Sequence, residues 1–307
     1  MTPRIVIDDP LDPRIHSFRG VRDADLRGRD GLFCVESPRI LRRFLHALEC
    51  SDSSAPMTPR LALHSVFTTA AIADSLEPLL ERVIERSPHE VPVYCAEESL
   101  LTAISGYGMH KGAMALGIRG ALASVDDLVA AMGPSDHMVI PCGVVLTDNI
   151  GAIFRNAGSL GGSGVLLAAG CSDPLHRKSI RIGAGRTFSV PWAVSGSWPT
   201  DLKRLREEFG FAVLAAEDAP GAIPLDALAD CPTLARSRRV AIVLGAEGAG
   251  LSTETMDLCD AVCAIPMREP GGLVEAHDRP SLNVAVASAL LLHGVRRACG
   301  HSRSPGT

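Results

Sequence analysis

The sequence predicts an α/β protein of two domains, the second built on a mostly parallel sheet. Three observations carry this expectation. A chain of 307 residues has room for about two domains of roughly 100–200 residues. In its second half, short apolar runs have the composition of strands buried on both faces. Between most of them lie stretches whose apolar residues recur at helical spacing.

Pro38–Leu48 places Ile40, Leu41, Phe44, Leu45 and Leu48 near one helical face, with Arg42, Arg43 and His46 on the other. Arg60–Thr68 reads as a strand, Thr69–Arg86 as an amphipathic helix and Val91–Cys95 as another strand. A small α/β domain over 1–120 follows from this alternation. The stretch 121–134 ends in the breaker pair Gly133-Pro134 and reads as a linker. From 135 to 307 the strand candidates are Met138–Leu146, Gly164–Ala168, Ala212–Ala216, Val240–Leu244 and Ala261–Ile265. The helical stretches are Ile150–Leu160, Pro174–Gly183, Asp201–Phe209, Ser252–Cys259 and Asn283–Arg297, giving a sheet with helices on both faces. The last few residues should fray.

With 46% hydrophobic and 21% charged residues, the chain is neither disordered nor fibrous. The apolar stretch Val284–Leu292 is far short of the roughly 20 residues of a membrane span, and the basic start is followed by no apolar signal segment. Neither membrane association nor secretion is expected. Nine cysteines, odd in number and without regular spacing, fit free thiols in a reducing cytoplasm. A net charge of −5 leans away from nucleic acid, although 27 of the 30 basic residues are arginine. Most of that arginine excess is attributed to coding bias. Between Asn149 and Trp192, however, Arg155, Arg177, Lys178, Arg181 and Arg186 face the single acid Asp173, a local charge of +4 suited to phosphates. Arg39, Arg42 and Arg43 form a second candidate RNA face, with a solvated helix face as the plain alternative.

Three clusters follow predicted strands, where open α/β sheets place their ligands. The first runs from Asn149 to Ala157, where Gly151 and Arg155 are four apart on one helical face. Taken alone it is an ordinary helix start, capped by Asp148 or Asn149, with a surface arginine. The second, Val243–Gly250, runs a strand into a loop holding Gly245, Gly248 and Gly250, which lets backbone groups approach a ligand closely. Glu247 in that loop would repel an anion, so a cationic or hydrogen-bonding ligand suits it better. The third joins Ile265-Pro266-Met267 to Ser281-Leu282-Asn283-Val284, where Ser281 and Asn283 are also good helix caps.

In this order the clusters resemble the SpoU/TrmH branch of the SPOUT RNA methyltransferases. The matching pieces are Asn-x-Gly-x-x-x-Arg-x-Ala at Asn149–Ala157, Leu-Gly-x-Glu-Gly at Leu244–Gly248, and Ile-Pro-Met with Ser-Leu-Asn-Val at Ile265–Met267 and Ser281–Val284. The likeness covers about Met138 to Arg297. More loosely, Ile15–Arg119, with Phe33–Ser37 and Met109–Gly117, is similar to the substrate-binding domain of two-domain members, a ribosomal-protein L30e-like α/β fold.

The resemblance implies an S-adenosylmethionine-dependent ribose 2′-O-methyltransferase with a deep trefoil knot, the last helix threading behind Gly245–Gly250. It implies cofactor contacts at Leu244, Gly245, Gly248, Ile265, Met267 and Leu282, and a homodimer with its site near the subunit interface. Arg155 is the implied catalytic position, with Asn149, Glu247, Ser281 and Asn283 orienting it and the ribose. Because arginine keeps its proton, stabilising a developing alkoxide and anchoring a phosphate suit Arg155 better than acting as a base. The extra domain puts structured ribosomal RNA ahead of transfer RNA. A non-catalytic RNA-binding protein of the same fold is the alternative from another class. The chain departs from the family in the 13 residues between Met267 and Ser281, longer than expected there and read as either a substrate-selecting loop or, slightly ahead of it, a solvated polar excursion with no role.

Other signals are set aside. The glycines at 158, 161, 162 and 164 follow a helix and precede a strand, opposite to a dinucleotide loop. Cys259 and Cys263 lack a second pair and read as core residues rather than zinc ligands, so no metal site is expected. His110 and His176 lack a partner nucleophile and suit helix-end or RNA-facing roles. His293, beside Leu290–Leu292, is expected to be packed.

Overall fold

The computed structural model describes residues 2–19, 26–27, 31–50, 60–105, 112–267 and 281–300. They form two compact units. The first takes Met1–Leu122 together with Asp173–Ser189, and the second takes Ala123–Ser172 and Val190–Thr307.

The sheet of the first unit has the order β1 (Arg4–Val6), β4 (Val93–Cys95), β3 (Leu61–Thr68), β5 (Ala113–Arg119), β2 (Leu32–Glu36). β1, β4 and β3 are parallel, while β5 runs antiparallel to both β3 and β2. Of the two segments singled out as motifs, Phe33–Ser37 supplies most of β2 and the described part of Met109–Gly117 supplies the start of β5, neighbours in register with Phe33 opposite Gly117. A Cβ on Gly117 would lie 2.2 Å from the Phe33 ring, so the glycine is what admits that ring. Helix α1 (Pro38–Cys50) buries Ile40, Leu41, Phe44 and Leu45, the face its periodicity predicts. Its Phe44 ring lies 5.4 Å from Phe33.

The segment 173–189 belongs to this unit, against the expectation of one continuous domain over 135–307. Its plug is Phe188, 2% exposed, with ring centroids 4.8 Å from Phe44 and 5.9 Å from Phe33. Polar ties reinforce it. Arg177 pairs with the buried Glu36 at 3.1 Å, Arg119 pairs with Asp173, and Arg43 donates to the Ala184 carbonyl. Phe188→Ala is expected to cost about 3–5 kcal/mol of stability, measurable as a shifted denaturant midpoint. A loss under about 0.5 kcal/mol, the scale of a surface change, would contradict this packing.

Four of the six residues proposed as RNA contacts outside the motifs are drawn into such local bonding or partial burial. Arg177 and Arg43 are held as described, Arg42 donates to the Ser75 carbonyl at 3.1 Å while staying exposed, and Arg186 is half-buried. Lys178 and Arg181, by contrast, are exposed. The two faces anticipated separately are neighbours, because the site of a Cβ on Gly185 lies 3.2 Å from Ile40 and 3.6 Å from Arg43 of α1. His176 takes a helix-end role: its Nδ1 accepts the Lys178 amide at 3.2 Å and caps α6 (Arg177–Ile182). His110 and the 13-residue stretch after Met267 lie outside the described residues.

The second unit carries a seven-stranded parallel sheet of order β10 (Ile223–Pro224), β12 (Ala261–Ala264), β9 (Ala212–Ala216), β11 (Val240–Leu244), β6 (His137–Pro141), β7 (Gly162–Leu167), β8 (Trp192–Val194). Alternate strand residues serve opposite faces. Met138, Ile140, Ala241 and Val243 pack with α4 (Val125–Ala130) and α7 (Thr200–Glu207). On the other side, α5 (Thr147–Leu160) and α10 (Val284–Ala298) contact each other and the sheet. Helix α5 buries Ile150, Ile153, Phe154 and Ala157, a one-face stripe, and Phe154 meets Trp192 edge-on at 6.2 Å. The stretch expected as linker therefore supplies α4, a helix of this core. His293 is exposed rather than packed, since it points away from the face holding Leu291, Leu292 and Val295.

Candidate active site

The carboxyl ends of β9, β11 and β12 open onto a cleft of about 590 Å³, in the place where parallel sheets leave backbone groups uncovered. All six residues expected to hold a cofactor line it: Leu244, Gly245, Gly248, Ile265, Met267 and Leu282. Ser281 and Glu247 also reach its wall. Its described lining includes the carboxylates of Glu217, Asp218 and Glu247 and no lysine or arginine. The cleft is therefore suited to a ligand that is cationic or rich in hydrogen-bond donors.

The loop leaving β11 folds back on itself. The Gly250 amide donates to the Ala246 carbonyl at 3.0 Å, and a Cβ on Gly245 would lie 2.5 Å from the Gly250 carbonyl carbon. Only a glycine at 245 allows this approach of backbone to backbone.

Three asparagine and glutamate side chains, one from each motif, meet at this end of the sheet. Asn149 Nδ2 donates to Glu247 Oε1 at 3.0 Å. Asn283 Nδ2 donates to both Glu247 Oε1, at 2.6 Å, and Asn149 Oδ1, at 3.0 Å. Every donor and acceptor role fits an ionised carboxylate, which only accepts. Asn283 does a second job, its Oδ1 accepting the Ala285 amide at 3.0 Å to cap α10. The capping and the functional readings of Asn283 thus coexist. For Asn149 the capping reading fails: α5 begins earlier, with Leu146 as a cap that makes no side-chain bond, and Asn149 sits inside the first turn. Its amide is thereby released to reach Glu247.

Arg155 lies two turns along α5, exposed, and forms no hydrogen bond or ion pair with a described residue. It is not part of the cleft wall, and neither are Asn149 and Asn283. The next residue, Asn156, was not singled out from the sequence. Its Nδ2 donates to the Ala285 carbonyl at 2.6 Å and the Ser288 hydroxyl at 2.9 Å, locking α5 to α10. Glu217 and Asp218, also unforeseen, sit just beyond β9, and that strand-end position was the available signal.

All nine cysteines are free. Cys263, in the cleft wall, is buried, and desolvation pushes its thiol up to about 11. Burial likewise pushes Cys171 up to about 11 and Cys259 up to about 12. Because the thiolate is the reactive form, these three are expected to resist brief alkylation near neutral pH. Peptide mass spectrometry after iodoacetamide treatment checks this, and early labelling of Cys263 would contradict it. Among the described residues no group of three or more potential ligands is placed to hold a metal ion. No helix in the described chain is long and apolar enough to cross a membrane.

A parallel sheet with helices on both faces, three motifs converging at its strand ends and a glycine loop walling a cleft together define an α/β protein with a ligand site at the carboxyl ends of its strands. The model of the SpoU rRNA Methylase family matches residues 137–293, and the chain belongs to that family. An uncharacterised tRNA/rRNA methyltransferase of Mycobacterium bovis is 31% identical over 303 residues, covering 97% of this chain and 93% of the relative. Among solved structures, an AdoMet-bound rRNA methyltransferase from Sinorhizobium meliloti is similar with a TM-score of 0.74 at 20% identity, over 96% of this chain and 98% of the other. An RNA 2′-O ribose methyltransferase aligns with a TM-score of 0.62 at 22% identity, over 96% and 99%.

Proposed function

We propose that this RNA methyltransferase of the SpoU family transfers a methyl group from S-adenosylmethionine to a ribose 2′-hydroxyl of structured RNA, ribosomal RNA ahead of transfer RNA. The observation that carries the reading is the bonding of Asn149, Glu247 and Asn283 into one cluster next to the cleft. Solved relatives described as AdoMet-bound and as a 2′-O ribose methyltransferase support it.

The cleft fits the cofactor. S-adenosylmethionine carries a sulfonium and an ammonium against one carboxylate, a net positive charge, together with two ribose hydroxyls, and the described wall offers carboxylates without opposing cations. Leu244, Gly245, Gly248, Ile265, Met267 and Leu282 would hold it. When bound, it supplies an electrophilic methyl group on a sulfur that leaves as a neutral thioether. The protein's task is then to align the ribose oxygen and to ease loss of a weakly acidic proton. Arg155, with no internal partner among the described residues, is available to the RNA. Its guanidinium stabilises the developing alkoxide and anchors the neighbouring phosphate. Asn149, Glu247, Ser281 and Asn283 order the surface against which the ribose rests. Lys178, Arg181 and Arg42, exposed on the first unit, provide phosphate contacts.

The proposal extends to a homodimer. Leu282, Val286 and Leu290 recur every fourth position into and along α10 and are exposed, as are Val145 and Leu146 before α5. An apolar stripe of this size is characteristic of an interface. Leu290→Glu is expected to yield monomers by light scattering, and an unaltered mass would reject this interface. The packing of α10 on α5 and β11 supports the further proposal that the last helix threads a trefoil knot behind Gly245–Gly250.

The experiment for substrate is to map ribose methylation in total RNA with and without the gene. One site lost from ribosomal RNA is the expected outcome. Loss from a transfer RNA alone would transfer the assignment there, and an unchanged map would overturn the proposed activity.

A further inference from the structure

We propose that Glu217 is a positioning residue, the latch that holds the glycine loop of the cleft in its working shape. Glu217 directly follows β9, and its amide donates to the Cys263 carbonyl at 3.1 Å, fixing its backbone against β12. Its side chain then crosses to the loop that leaves β11. Oε2 accepts the Leu251 amide at 2.9 Å, and the carboxylate lies flat over Gly250, where a Cβ would come within 2.7 Å of Oε2. Glu217 itself walls the cleft.

Among the described residues the loop's other ties include the Ala246–Gly250 backbone pairing and the bonds that the Glu247 side chain accepts from Asn149 and Asn283, while Glu247, Gly248 and Ala249 stay exposed. One end is secured by β11, and the other, at Leu251, by the burial of its side chain in the core and by the charged acceptor that Glu217 supplies to its amide. A hydrogen bond from an amide to a carboxylate is stronger than one between neutral groups. That bond sets the spacing between Gly245 and Leu251. It thereby places Gly245 and Gly248 at the cleft and carries Glu247 to Asn149 and Asn283. Glu217 acts on the reaction through the loop and not by touching the RNA.

The test compares Glu217→Ala with Glu217→Gln, because glutamine keeps an acceptor oxygen of nearly the same reach and glutamate's charge is lost in both. Two readouts are used. Amide hydrogen exchange at Leu251 in the free protein reports the latch directly, and calorimetry with S-adenosylmethionine reports its effect on the cleft. Only the calorimetric arm rests on the function proposed above, so a wild-type protein that fails to bind the cofactor sinks that function and leaves the exchange arm standing. Glu217→Ala is expected to raise exchange at Leu251 and to weaken cofactor binding, each by about ten-fold or more. Glu217→Gln is expected to restore protection and most of the affinity. The assignment is overturned if Glu217→Ala exchanges at the wild-type rate, or if Glu217→Gln is as impaired as alanine.

Discussion

Arg155→Ala is expected to lower kcat by about 10²–10³-fold while leaving S-adenosylmethionine affinity nearly unchanged. The size follows from its proposed role, a charged donor facing the oxygen on which negative charge develops. The retained affinity follows from its location. Arg155 is exposed on α5, is absent from the cleft wall and bonds to no described residue. Removing it breaks no bond to a described residue, so stability should change by no more than about 0.5 kcal/mol. Single-turnover kinetics with saturating cofactor separate the two effects. A variant with full turnover would remove Arg155 from the chemistry, and one that loses cofactor affinity would make it part of the cofactor site.

The second large effect is expected at Glu247. Its Oε1 accepts from both Asn149 and Asn283, so Glu247→Ala leaves two amide groups without their shared acceptor, and Asn149 is buried. A loss of about 10-fold to 100-fold in kcat/KM is expected, from about 1–3 kcal/mol for stranding such groups. Glu247→Gln should be milder, because its carbonyl oxygen can still accept. Residues that act as a unit are not additive. The double variant Glu247→Ala with Asn283→Ala should therefore fall little further than either single change, with a coupling of about 0.5–3 kcal/mol. Additivity within about 0.3 kcal/mol would show that the three motifs work independently.

Five of the seven strands of the second unit, and its motifs, were legible from the chain because each carries its own signal. β9 and β11 coincide with the predicted runs Ala212–Ala216 and Val240–Leu244, since both are apolar on both faces and end at turn residues. β8, only Trp192–Val194 and preceded by Pro191, is too short for any periodicity to register. The placement of 173–189 was illegible for a different reason. Phe188, Arg177 and Ala184 find Phe44, Glu36 and Arg43 more than a hundred residues away, and such partners leave no local pattern. The basic charge of the segment was visible, but half of its meaning was structural.

In the site, motif spacing pointed to residues most of which the fold brings together, without disclosing their contacts. That Asn149 would reach Glu247 depended on α5 starting at Thr147, ahead of the expected cap. Asn156 was not singled out, because its acceptors on α10 lie more than a hundred residues along the chain. Glu217 was not singled out from the sequence, because nothing nearby in the chain shows that Leu251 returns to meet it.

The central claim is chemical: a methyl group delivered to a ribose 2′-oxygen at the site marked by Arg155. The most direct measurement incubates the purified protein with isotopically labelled S-adenosylmethionine and ribosomal RNA, then digests the RNA and identifies the labelled nucleoside by mass spectrometry. The account predicts a single 2′-O-methylated nucleoside, absent when Arg155→Ala replaces the wild type. Label on a base, or an equal yield from the variant, would contradict it.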